Sequence, residues 1–219
     1  RALYVLLFLY VGGQGNYFAI WLRDASWSET AIGWQGGLHM ACLTIFPLMW
    51  GHLTDKGGHP VSTLRLITLG SLVTFIPFVL TTAVAPLLAA TLVFAAFRTG
   101  MVTAADAFTL GHVERTGGDY GRIRIWGSMG FIAGGFLMGG VVDASSRGAI
   151  PWVLLVILAV TAALVSRLSA SHHRAERRDS LRVALRRLWA DPRLRRLYVV
   201  TFANRVTSQG LYIFLPLHL

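Results

Sequence analysis

The chain has 219 residues, 54% of them hydrophobic and 14% charged, with 23 glycines and a single cysteine. A soluble domain carries about 25% charged residues, so this chain lacks the polar side chains to cover a globular surface. A soluble enzyme, a disordered chain and a disulfide scaffold are excluded. The net charge of +10 is local: residues 167–196 hold ten arginines against three acids, and elsewhere ten basic residues face seven acids. That is not the footprint of a nucleic-acid binder; uncharged runs separated by short charged loops make this an all-α, polytopic membrane protein.

A spanning helix needs about 20 mostly apolar residues. The first is expected over 2–22 and the second over 30–54, both free of charge. Arg1 followed by an apolar run could pass for a cleaved leader. No small-x-small site follows, so the run reads as a span. Residues 66–97 carry no charge in 32 positions, too many for one span. A turn at 81–86, Thr-Thr-Ala-Val-Ala-Pro, divides them into a third helix near 62–80 and a fourth near 86–112. The fifth is expected over 125–142, the sixth over 148–166 and a seventh over 197–219, interrupted by Arg205.

Sorted by loop, sixteen basic residues fall on one side and two, Arg23 and Arg147, on the other. That asymmetry places the N-terminus and the long basic loop in the cytoplasm of a cell (inner) membrane. In that loop Leu181, Leu185, Leu188 and Trp189 form an apolar stripe among arginines, as expected of a helix lying on an anionic leaflet. Gln14-Gly15-Asn16-Tyr17 returns as Gln209-Gly210-Leu211-Tyr212 at an offset of 195. Duplicated halves are common in secondary transporters. Three segments are therefore expected: a six-helix unit over 1–168, a basic linker over 169–195, and over 196–219 the first helix of a second half whose remainder lies elsewhere in a chain of about 390 residues.

Polar residues inside spans are the functional candidates. Arg98 and Asp106 share the fourth helix, and such charges cost roughly 2.5–3.5 kcal/mol each at the bilayer centre. They must face protein or a water-filled cavity, either as a lock on the bundle or as a polar site. Eight residues put them about 12 Å apart along the axis, too far to be direct partners. Their partners must therefore stand on other helices. His39 in the second helix reads as a proton relay or as a hydrogen-bonded packing residue. Gln14, Tyr17, Phe18 and Trp21 share one face of the first helix, suited to a cavity wall or to packing. Gly130/Gly134 and Gly135/Gly139 have the spacing that permits close helix approach. No metal-ligand spacing, phosphate loop or nucleophile elbow occurs, so no enzyme chemistry, metal or nucleic acid is expected.

Gly51-His52-Leu53-Thr54-Asp55-Lys56-Gly57-Gly58, expected in the loop after the second helix, resembles the loop signature of the major facilitator superfamily. His59 and Pro60 replace its last basic pair. Ala105-Asp106-Ala107-Phe108 and Gly121-Arg122-Ile123-Arg124 resemble the lactose-permease and phenylpropionate-permease type of proton symporter within it. The resemblance implies alternating access, with Gly51, Asp55, Lys56 and Gly58 as a conformational latch. It implies a substrate site at Asp106 and Arg124, an ion pair for whose two partners a polar substrate could compete, with Phe131 where those relatives place a stacking aromatic. Arg98, Gln14, Tyr17 and Gln209 are further cavity candidates, and His39 and Asp106 the candidate proton carriers. The expected function is proton-coupled symport of a sugar, aromatic acid or nucleoside, with no cofactor beyond the proton gradient. The alternatives are an exporter of drugs or metabolites and a non-transporting receptor or scaffold.

Overall fold

The computed structural model describes residues 1–57, 59–168, 186, 189–197, 199–201 and 203–204. Helices stand at all six positions expected in residues 1–168. They are α1 (Ala2–Asp24), α2 (Glu29–Gly57), α3 (Pro60–Phe75) with the short α4 (Pro77–Leu80), α5 (Val84–Arg98) with α6 (Gly100–Thr116), α7 (Tyr120–Ala144), and α8 (Ile150–Ser166) behind a 3-10 turn at Arg147–Ala149. Among the described residues every regular element is helical. Four segments are long and apolar enough to cross a membrane: Pro60–Leu80, Val84–Thr116, Tyr120–Ala144 and Arg147–Ser166. The two parts of α1, Ala2–Gly15 and Tyr17–Asp24, are bent by 44° and count as a fifth if taken as one span. α2 is long enough at 29 residues, but Gln35, His39 and His52 make it more polar. The protein is an all-α, polytopic membrane protein. The linker and seventh-helix expectations, with Arg205, Gln209 and Tyr212, fall largely or wholly outside the described residues.

Proline sets several boundaries. Pro60 starts α3 in the first turn, where its missing N–H costs nothing. Pro77 cannot donate into the ladder, and the third span breaks before it at Ile76. Within the spans, hydroxyls that would otherwise face hydrocarbon bond back to the carbonyl four residues earlier, as at Thr68, Ser71, Thr91 and Thr161.

Bilayer lipid is as apolar as leucine, so packing and hydrogen bonds hold such helices together. The core is aromatic: Tyr10, Phe75, Phe78 and Phe94 are each at most 2% exposed. Phe75 meets Phe94 edge-on at 5.1 Å between centroids, and Tyr10 meets Phe75 at 6.2 Å. Phe18 and Trp21 are buried, and Phe18 stacks edge-on against Phe78. These two residues of the expected cavity face are packing residues. Indole donors tie the bundle: Trp50 Nε1 donates to the Ala96 carbonyl at 2.6 Å, and Trp27 Nε1 to that of Thr82 at 2.7 Å.

α1 packs chiefly on α7. A Cβ added at Gly130 would meet the Val5 backbone, one at Gly134 the Leu9 carbonyl, and one at Gly12 the Phe131 carbonyl. The two backbones therefore touch, as the glycine spacing predicted.

The second helix overruns its expected end at Thr54: the glycine-rich segment after it, expected as a loop, is helical as far as Gly57. Thr54 bonds back to the Trp50 carbonyl, and Trp50 is itself fixed to Ala96, so packing against the fourth span carries the helix through its glycines. Gly51 faces Thr103, with ordinary room for a Cβ at 3.5 Å. Gly58 and the side chains of Asp55 and Lys56 lie outside what the structure describes.

Candidate functional site

The site is built where α6 ends and α7 begins. Gly117 closes α6 at φ +67°, a left-handed conformation that glycine adopts without strain. Two residues later the Asp119 carboxylate caps α7, accepting from the Gly121 and Arg122 amides at 2.7 and 3.4 Å. This cap sets the phase of α7, which starts five residues earlier than expected. Tyr120 and Arg124 then lie one turn apart on one face.

Asp106, half-buried on α6, accepts two phenolic hydrogens on one oxygen. Tyr4 of α1 donates to Oδ1 at 2.5 Å, and Tyr120 donates to the same atom at 3.1 Å. Among the described residues neither hydroxyl reaches Oδ2. Arg124 lies over aromatic faces instead: its guanidinium carbon is 4.2 Å from the Phe8 centroid and 5.8 Å from that of Tyr4. Gly127 leaves room for this, since a Cβ there would strike Arg124 Nη1 and the Phe8 ring. The expected Asp106–Arg124 ion pair is not formed. Among the described residues the ion pairs within 4 Å are Arg122–Asp119 at 3.7 Å and Arg147–Asp24 at 3.3 Å, both exposed. The tyrosines satisfy Asp106 before the arginine can, and the aromatic faces hold Arg124 by cation–π attraction.

A cleft of about 660 Å³ opens beside this group. Its lining includes Tyr4, Thr109, His112, Asp119 and Arg122, so Tyr4 belongs both to the cleft wall and to the Asp106 hydrogen bond. Asp106, Tyr120 and Arg124 do not line the cleft; they gather an acceptor oxygen, a phenolic hydroxyl and a guanidinium around Tyr4, which does. That set can hydrogen-bond a polar solute while its aromatic faces cover an apolar side.

The other candidates lie apart. Phe131 is seven residues beyond Arg124 with its backbone against Gly12, and the rings around Arg124 are Tyr4 and Phe8. Gln14 and Tyr17 are half-buried, about 15 and 20 Å along α1 from Tyr4. The Tyr17 hydroxyl faces Gly139. Arg98 is 6% exposed and sits over Tyr10, 4.6 Å from its centroid. His39, on α2, has a buried Nδ1 without a hydrogen-bond partner among the described residues. Tyr4, Phe8, Tyr10 and Tyr120 were not singled out from the sequence. The spacing of Tyr4 and Phe8, one turn apart on the first helix, was the available signal.

The family model described as "MFS_1 like family" matches residues 1–219. The maltose permease of Geobacillus stearothermophilus is 28% identical over 166 residues, covering 75% of this chain and 42% of that permease. An uncharacterized transporter of Bacillus subtilis (strain 168), YwbF, is 24% identical over 144 residues, covering 65% of this chain and 36% of that protein. The chain thus spans less than half the length of the curated relatives it matches. No solved structure gives a significant match.

Proposed function

The chain belongs to the MFS_1 like family of transporters, and from that membership we propose that it forms the substrate-binding half of a proton-coupled symporter for a small polar organic solute. On this reading the membrane is the cytoplasmic one, with the N-terminus inside, an orientation that the loop charges support. One observation carries the site assignment. Arg124 has no acidic partner among the described residues and lies over the ring of Tyr4, whose hydroxyl binds Asp106; Oδ2 of that acid takes neither tyrosine hydroxyl. A bound solute would take its hydrogen bonds from Arg124 and give them to Asp106, while Tyr4 and Phe8 cover its apolar face. Phe131, Gln14, Tyr17 and Gln209 would line the path beyond, and Asp106 and His39 would carry the proton. The resemblance to a maltose permease places sugars first among the solutes to try.

The test is counterflow and proton uptake by the full-length protein in proteoliposomes, with pools of sugars, aromatic acids and nucleosides. Asp106→Asn and Arg124→Gln are run beside it. Symport gives solute entry with external alkalinisation, lost in both variants. Solute movement in the opposite sense identifies an exporter, and binding without flux a receptor. Transport that survives both substitutions removes Asp106 and Arg124 from the site.

A further inference from the structure

A second polar group lies deeper in the bundle. Arg98 ends α5 and Tyr10 lies midway along α1. The two groups form separate levels: Arg98 precedes Asp106 by about 12 Å along the fourth span, and Tyr10 follows Tyr4 by about 9 Å along α1.

Two polar atoms here are buried and lack a hydrogen-bond partner among the described residues: Arg98 Nε and the Tyr10 hydroxyl. They share one neighbourhood, since Arg98 lies 4.6 Å over the Tyr10 ring. Around them stand Phe75 and Phe94, both in ring contact with Tyr10. Buried polar groups in native proteins are almost always paired, and two orphans in one place mark a position for a partner.

The kind of partner follows from charge. A guanidinium keeps its proton in any protein environment, and no described acid lies within 4 Å of Arg98. The Tyr10 ring face offsets part of the cost of burying that charge. A water molecule would satisfy hydrogen bonds but leave the positive charge uncompensated. A single negatively charged acceptor does both: it accepts from Arg98 Nε–H and from the Tyr10 O–H. Arg98 keeps 6% of its surface open, so the level is not sealed.

We propose that Arg98 on α5 and Tyr10 on α1 form a buried anion site, taking one singly charged acceptor group, a carboxylate or a halide. This inference is independent of the transport assignment above and is tested by binding alone.

The experiment measures the thermal unfolding midpoint of the full-length protein in detergent, titrated in separate arms with sodium chloride and sodium acetate. Gluconate, too bulky for a buried site, holds the ionic strength constant. The expected result is a saturable rise in the midpoint. A rise with chloride alone assigns a halide, with acetate alone a carboxylate, and with both a small anion of either kind. Tyr10→Phe deletes only the unpaired hydroxyl, and Arg98→Lys keeps the charge without the Nε donor. Each should raise the half-saturating concentration about tenfold or more, the loss of one hydrogen bond to a charged group. A midpoint indifferent to both anions overturns the proposal, as does half-saturation unchanged in Tyr10→Phe.

Discussion

The Tyr4 hydroxyl donates to Asp106 Oδ1 at 2.5 Å across 102 residues of sequence, joining the first span to the fourth. A phenol that binds a carboxylate within a membrane protein both orients the acid and relieves the cost of its charge. Tyr120 repeats the contact at 3.1 Å, so the acid is held from two helices at once.

Tyr4→Phe should therefore cost more than Tyr120→Phe. A hydrogen bond to a charged partner is worth about 1.5–3 kcal/mol. Tyr4 is buried and makes the shorter bond, whereas Tyr120 is half-buried. Thermal unfolding of the full-length protein, read beside substrate affinity, checks this. Equal effects of the two substitutions would mean that the tyrosines do not differ in their hold on Asp106.

Gly130→Ala should destabilise by about 1–3 kcal/mol or more, since its methyl group would meet the Val5 backbone, which cannot rotate away. Gly140→Ala, on the same helix with nothing within 4 Å of the added carbon, should stay within about 0.5 kcal/mol of wild type. Folded yield and unfolding midpoint of the pair, measured together, separate close packing from a general intolerance of α7 to alanine.

Arg65 should act as the clamp on the end of α8. Its guanidinium donates to the Ser166 carbonyl at 3.0 Å, to that of Val165 at 3.4 Å and to that of Leu168. Helix ends leave their last carbonyls without partners inside the helix. Arg65→Gln should speed amide exchange in the last turn of α8 while leaving α5 unchanged. Exchange mapped by mass spectrometry reads this directly, and uniform exchange across both helices would contradict it.

The Arg147–Asp24 pair, at 3.3 Å with side chains 53% and 47% exposed, should matter little. Arg147→Ala is expected to cost under about 1 kcal/mol, and that cost should shrink further as salt screens the pair. Unfolding midpoints at low and high salt decide it; a loss that persists at high salt would show a packing role for Arg147.

Periodicity and loop charge made the fold legible because bilayer dimensions constrain length so strongly. The glycines of α7 announced a close contact, but not that α1 was the helix in contact; that depends on three-dimensional placement. Asp106 and Arg124 stood out as charges in apolar runs. Their pairing was misjudged, because Tyr4 and Tyr120 compete for the carboxylate and neither is conspicuous in an aromatic-rich membrane sequence. Phe8 escaped notice for the same reason. Residues 55–57 show the opposite error. The glycines that follow signal a turn locally, yet the Trp50–Ala96 hydrogen bond and the Thr54 back-bond keep the segment helical.

The backbone-to-backbone contact of α1 with α7 has a mechanical corollary. Helices whose main chains touch at Gly12, Gly130 and Gly134 have no soft side chains between them at those points, so they translate and rotate as one beam. Spin labels placed on the outer faces of these two helices should hold a single, narrow distance distribution with and without added solute. The pair is a fixed ruler within the bundle.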